Sequence, residues 1–344
     1  MTAVDTSGSA TAGPGAEAPT FNRLLATEWR RLSARRFTRV LLLVSAVGYL
    51  VAMAFIWSQH AQPTEADYAQ ATVARDQQVV EIQRSVDACL AAGESSDTCG
   101  VAPTVDSFPL DYFLDARPFT PEQVPGLTSA VGIAVAMAAF VLASTVIGAE
   151  WSSRNIVAWL FFEPRRLRLL GAKLLTLLGL VVVLAFVAQA IWLSSARLLM
   201  SQRGLPVSSL GSSADAFWPT TLQVSVRAAL LVVPMAVLGF GLANLMRNTA
   251  AALGVAFVYF AVVETVLGGI SPRLQPYQFT VGLRAWVQDG GITVYGDPVY
   301  DQQTGNLDPE LIPVSNLHGG IVLLAYAVVV LTVSVALFRR RDIT

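Results

Sequence analysis

The chain is short of nearly everything that carries bond chemistry. It has one lysine, Lys173, two histidines, His60 and His318, and two cysteines, Cys89 and Cys99. A Walker loop needs G-x-x-x-x-G-K-[ST], whereas Lys173 sits in LLGAKLL, so the chain has no P-loop of its own. No H-E-x-x-H occurs, and neither histidine has a second His or Cys at ligand spacing, so no metal is expected. Each histidine falls at the outer end of a predicted helix, where an isolated interfacial polar residue is the plainer reading. The apolar runs lack the paired glutamates that an intramembrane protease would use. Charge is scarce too. Charged residues make up 14% of the chain, against about a quarter in soluble domains. The net charge of -1 argues against a bulk nucleic-acid partner. An enzyme is therefore not expected.

What the chain has instead is hydrophobic length. Apolar residues make up 54% and the mean hydropathy is +0.55. Six runs are long enough to cross a bilayer, since about 20 helical residues span a roughly 30 Å hydrocarbon layer. They are Val40–Trp57, Leu127–Gly148, Leu169–Ala196, Val226–Leu245, Ala250–Gly269 and Gly319–Phe338. Arginine placement suggests the orientation. With the N-terminus inside, the inner segments hold Arg23, Arg30, Arg31, Arg35, Arg36, Arg39, Arg154, Arg165, Arg166, Arg168, Lys173, Arg247 and Arg339 to Arg341. Only Asp5, Glu17, Glu28, Glu150, Glu163 and Asp342 oppose them. The positive-inside rule then gives N-in and C-in. The expectation is an all-α, multi-pass protein of the cell membrane.

Residues 1–19 are rich in Ala, Gly, Ser, Thr and Pro and read as a disordered cytoplasmic tail. Residues 20–39 read as an amphipathic interfacial helix that Thr20 can cap. Phe21, Leu24, Leu25, Trp29, Leu32 and Phe37 form one face, and Arg23, Arg30, Arg31 and Arg35 the other. The alternative is a plain extension of the first span. The first span follows a long Arg-rich lead and reads as an uncleaved signal anchor. The six-helix domain is 40–344. Within it, 58–126 is a large outer loop with a helical stretch from Pro63 to Ala92 that ends at Gly93. Cys89 and Cys99 lie in that loop, on the oxidising side, and a disulfide there is worth about 2–3 kcal/mol. Two free thiols are the alternative; the pair is expected to be bonded because it is the only one available. Arg197 to Ser225 reads as a Ser/Gly-rich outer loop and Met246 to Thr249 as a tight inner turn. The outer segment 270–318 opens with a stretch too short to span, which either re-enters the membrane or lies on it. It then carries a hairpin pattern near Ile292 to Tyr300.

Glu264, in AVVETVLGG, is the one acid well inside an apolar run. Burying it costs about 2.5–3.5 kcal/mol on insertion scales, so it needs a partner or water. Three readings stand: an outward-snorkelling residue, a bridge to Arg227, or a polar contact in a transport path. Gln189 is a second interior polar candidate. Pro234, with Gly239 and Gly241, either kinks the fourth span or serves close packing.

The stretch Gly148 to Lys173, GAEWSSRNIVAWLFFEPRRLRLLGAK, joins two spans on the positive side. Ile156, Val157, Trp159, Leu160, Phe161 and Phe162 are set among charges and closed by Pro164, which suits docking on another protein. Here the residues resemble a known family, the membrane permeases of type-2 ABC exporters. The likeness rests on Glu150-Trp151-Ser152-Ser153, Phe162-Glu163-Pro164-Arg165-Arg166-Leu167-Arg168 and Ala172-Lys173. The N-terminal helix, the inner turn and the terminal Phe338-to-Ile343 run are also similar. Arg154-Asn155 departs from it, since the family often has Gly-Thr or Gly-Ser there. The resemblance implies a cytoplasmic coupling helix within 149–168, seated on a separate P-loop ATPase that holds ATP and Mg. It implies Glu150, Arg154, Trp159, Phe161, Glu163, Arg165 and Arg166 as contacts to that ATPase, and a second permease, identical or not. It leaves Glu264 and Gln189 as candidates for the translocation path. An apolar cavity lining with scattered polar groups suits an amphiphilic or lipid-like cargo. The competing class is a non-transport six-helix membrane protein with an immunity or sensor-like role.

Overall fold

The computed structural model describes residues 20–115, 117–153, 155, 165–300 and 307–340. It opens with helix α1, Phe21–Ala34, and helix α2, Arg36–Gln59. They are two helices rather than one, because Arg35 between them is extended (φ -62°, ψ 129°). Helix α1 begins where Thr20 predicts, but the threonine side chain makes no cap bond. Its buried residues are Leu24, Glu28 and Leu32, four apart and therefore on one face. Trp29 and Phe37, 44% and 42% exposed, lie outside this buried stripe, which carries an acid at its centre.

Six helical stretches are long and apolar enough to cross a membrane, so the chain is a multi-pass helical membrane protein. They are α2; α4, Gln123–Ser152; α5, Arg166–Arg203; the pair α6, Ala214–Leu230, and α7, Val232–Met246; the stretch Thr249–Ile270; and α11, Asn316–Arg340. Each contains one predicted run. Pro234 accounts for the break between α6 and α7. It has no N–H to offer the carbonyl of Leu230, where α6 ends. The fifth stretch comprises α8, Thr249–Val258, a π-helical turn at Tyr259–Val263, and α9, Glu264–Ile270.

Helix α4 is the centre of the bundle. Small residues let its neighbours approach closely. A Cβ on Gly132 would lie 2.4 Å from that of Ala228 on α6, and one on Gly239 of α7 would lie 2.4 Å from the Phe140 carbonyl. By contrast α2 leaves Leu43, Leu50, Val51 and Phe55 more than 60% exposed. Such an apolar surface suits lipid tails rather than water.

Parity places the two ends of the bundle. One end gathers α1, the end of α4, the head of α5, the turn at Arg247 and the end of α11. The other carries the long loops. There α3, Glu65–Ala91, starts with a complete capping box. The Thr64 N–H and hydroxyl both donate to Asp67 and hold its carboxyl below the usual range. A disulfide ties Cys89, in the last turn of α3, to Cys99. The expected loop from Arg197 to Ser225 is mostly helix instead: α5 runs on to Arg203 and α6 begins at Ala214. The reason is an apolar cluster at this end, where Leu199, Met200 and Phe217 bury against Phe119 and Trp192. Phe119 also exchanges backbone hydrogen bonds with Arg203 and Leu205. The stretch after Ile270 folds as a 3-10 turn, Pro272–Tyr277, and helix α10, Phe279–Val287, packed on α11. The expected hairpin follows, with β1, Ile292–Tyr300, antiparallel to β2, Leu307–Val314.

Candidate functional site

The densest chemistry lies where α1 meets the ends of α4 and α5. Three charged side chains are almost wholly buried there: Glu28, Glu150 and Lys173, at 3%, 2% and 2% exposure. Lys173 Nζ donates to Glu28 Oε1 at 2.8 Å and pairs with Glu150 Oε2 at 2.9 Å. Arg31 reaches Glu28 at 3.1 Å, and Arg35 donates to Glu150 and to the Val146 carbonyl. Two carboxylates thus meet three cations, and the five groups come from α1, the Arg35 link, α4 and α5. Desolvating such ions costs several kcal/mol each, and only this mutual pairing offsets it. The bonds require α1 to lie across the ends of α4 and α5 in one register.

A second polar set continues along the same end. Trp151 Nε1 donates to Asn244 Oδ1 at 2.9 Å, and Asn244 Nδ2 donates to Ser334 Oγ at 2.8 Å. Arg247, in a left-handed conformation at the end of α7, stacks over the Trp151 ring at 4.8 Å. Spans two, four and six are therefore tied beside the ionic cluster. A cleft of about 420 Å³ opens next to it, lined by Arg31, Ala34, Arg35, Ala149, Glu150, Ser153 and Asn155. It faces the start of the 154–164 connection. Among the described residues this set holds no nucleophile–base pair, and its bonds hold α1 in place against α4 and α5.

The expected ATPase-contact residues divide. Glu150 is in the cluster. Arg154, Trp159, Phe161 and Glu163, and the expected coupling helix with them, lie outside the described residues. Arg165 is exposed at the head of α5, and Arg166 donates to the Phe338 and Arg339 carbonyls, both at 3.4 Å. Gln189 is buried, donating to the Thr128 carbonyl at 3.3 Å and accepting from Ser225 at 3.4 Å. It ties spans two, three and four.

Glu264 is 4% exposed and does not snorkel outward. Nor does it pair with Arg227, which instead donates to Asn316 at 2.9 Å and faces Asp289 at 3.4 Å. The Glu264 carboxylate accepts from the Phe279 N–H at 2.6 Å, the Thr280 N–H at 3.2 Å and the Thr280 hydroxyl at 2.5 Å. It caps α10 from a neighbouring helix and satisfies N–H groups that have no partner inside that helix. The bridge fails because Arg227 is engaged by Asn316 and Asp289, while the Glu264 carboxylate is taken up by the N-terminus of α10.

Sequence reasoning missed Glu28, Lys173, Asn244 and Ser334 as a set. The available signals were a lone lysine in an apolar run and an acid spaced four residues from each of two buried leucines. Comparison with family models gives no match for this chain, and comparison with curated proteins gives none either. What stands is the class: a multi-pass helical membrane protein with a buried ionic cluster at one end.

Two outcomes follow. Lys173→Met removes the buried cation shared by the two carboxylates, leaving them only the partly exposed Arg31 and Arg35. It should cost about 3–5 kcal/mol of stability, as breaking a buried ion pair does. Adding Glu28→Gln should recover part of the loss, read from thermal unfolding in detergent; equal or greater loss in the double variant contradicts the assignment. Glu264→Gln and Arg227→Gln should each destabilise, and their effects should add to within about 0.5 kcal/mol because the two groups share no partner. Strong non-additivity would restore the direct bridge.

Proposed function

We propose that the chain is the transmembrane permease subunit of an ATP-binding cassette exporter, set in the cell membrane with both termini inside. The observation that carries this reading is the ionic cluster of Glu28, Glu150 and Lys173. It fastens a basic, amphipathic N-terminal helix to both flanks of the aromatic 154–164 connection. A connection that only had to be soluble would not need such an anchorage. One that receives force from a partner does, because a loosely held lever dissipates the push.

In this reading a cytoplasmic P-loop ATPase binds ATP and Mg and closes on hydrolysis-competent nucleotide. The closing motion displaces the 154–164 segment. Glu150 and Lys173 pass it to spans two and three, and Asn244 with Trp151 and Ser334 passes it to spans four and six. The permease makes and breaks no bonds. Glu264 and Gln189 are held in the packed interior of one chain, so the path lies between two permease copies, and the exposed apolar faces suit an amphiphilic or lipid-like cargo. Glu264, by capping α10, would set the position of the outer helix and hairpin that cover the exit.

The second reading is a six-helix membrane protein without transport, in an immunity or sensor-like role. Mild-detergent purification separates the two. A stoichiometric P-loop ATPase accompanies the chain in the first reading, and a solitary chain supports the second. In the first, replacing Trp159 and Phe161 together by Ala should weaken the ATPase complex about tenfold or more, as loss of buried aromatic anchors does. The six-helix body should keep its unfolding temperature. Unchanged complex yield and unchanged ATP hydrolysis would contradict the assignment.

A further inference from the structure

At the same end, on the α11 side of the bundle, the head of α5 and the tail of α11 enclose a separate cleft of about 300 Å³, lined by Arg165, Arg166, Leu167 and Arg339. Among the described residues no carboxylate lines it. Arg166 is committed to the carbonyls of Phe338 and Arg339 and fixes the two walls against each other. Among the described residues the side chains of Arg165 and Arg339 have no ion-pair or hydrogen-bond partner. Both residues are exposed, and Arg340 beside them is exposed as well.

Depth identifies the occupant. Below the cleft the walls become apolar at once, with Leu169 and Leu170 buried on α5 and Phe338 buried on α11. Leu167 is 47% exposed at the rim. Cations therefore sit where two spans leave the hydrocarbon layer, with an exposed leucine beside them. That is the level of the phosphate group of a membrane lipid, and basic pockets between membrane helices take anionic headgroups. Guanidinium forks match phosphate oxygens in geometry as well as charge. We propose that this cleft holds the phosphodiester headgroup of an anionic phospholipid, clamped between Arg165 and Arg339. The bound lipid would bridge α5 and α11 where the 154–164 connection returns to the bundle. The proposal does not rest on the transport reading, and a chain that purifies without an ATPase leaves it standing.

The test is a titration of the full-length, delipidated protein in neutral detergent, read by native mass spectrometry and by the unfolding temperature. The probes are dioleoylphosphatidylglycerol, dioleoylphosphatidylcholine and inorganic phosphate. The proposal expects saturable binding of the glycerol lipid, a raised unfolding temperature and no comparable effect of the choline lipid. Arg165→Gln with Arg339→Gln should weaken that binding on the order of 30-fold, from about one interaction per arginine at the membrane surface. The charge-matched control Arg23→Gln with Arg30→Gln, on α1, should leave it unchanged. Equal binding of both lipids, or equal loss in the α1 control, would overturn the proposal in favour of non-specific attraction. A full effect from inorganic phosphate alone would assign the cleft to a free anion and overturn the lipid. Lipid binding that survives the Arg165/Arg339 change while ATPase co-purification is lost would make the patch a protein contact and also overturn it.

Discussion

Lys173 sits between two carboxylates that would otherwise repel each other in a dry interior. Around it the N-terminal helix, the end of the second span and the start of the third acquire one fixed arrangement. Glu28 comes from α1, Glu150 from α4 and Lys173 from α5. Each ion alone would be costly at that depth, and together they are neutralised with cations to spare. Hydrophobic burial cannot supply such registry in a membrane, where lipid tails are as apolar as leucine. Hydrogen-bonded charge can, because a one-residue shift of α1 would carry Glu28 away from its lysine.

The same logic recurs with neutral groups. Asn244 joins the second, fourth and sixth spans through Trp151 and Ser334, and Gln189 joins the second, third and fourth through Thr128 and Ser225. Close helix approach at Gly132 and Gly239 supplies the van der Waals contact. Toward the opposite end Glu264 fixes α10 through its N-terminal N–H groups, and Arg227 fixes the start of α11 through Asn316. The polar groups buried in this apolar bundle mark where one helix holds another in register. They lie at both ends of the bundle.

Much of this fold could be read from the residues. Six apolar runs became six long helices because bilayer thickness imposes a minimum length that chance rarely supplies. A separate N-terminal helix, the helix of Glu65–Ala91, the Cys89–Cys99 bond and the hairpin near Ile292 were legible from local chemistry, but the break at Arg35 falls earlier than the expected boundary at residue 39. The ends of spans three and four were not, since tertiary contact with Phe119 extends both helices past their polar sequence. Nor was Glu28. An acid among arginines on an amphipathic helix reads as an outward-facing charge, and only a distant lysine turns it inward. Glu264 was legible as a buried acid but not by its partners, which are backbone groups fifteen residues on, beyond an irregular turn.

Hydrogen exchange on the intact protein in lipid nanodiscs, comparing wild type with Glu150→Gln, tests the role of the ionic cluster most directly. The account predicts that amides of Phe21–Ala34 exchange much faster in the variant while those in α4 and α7 keep their protection. Protection of α1 that is the same in both proteins would show that the helix is held by something other than the charges around Lys173.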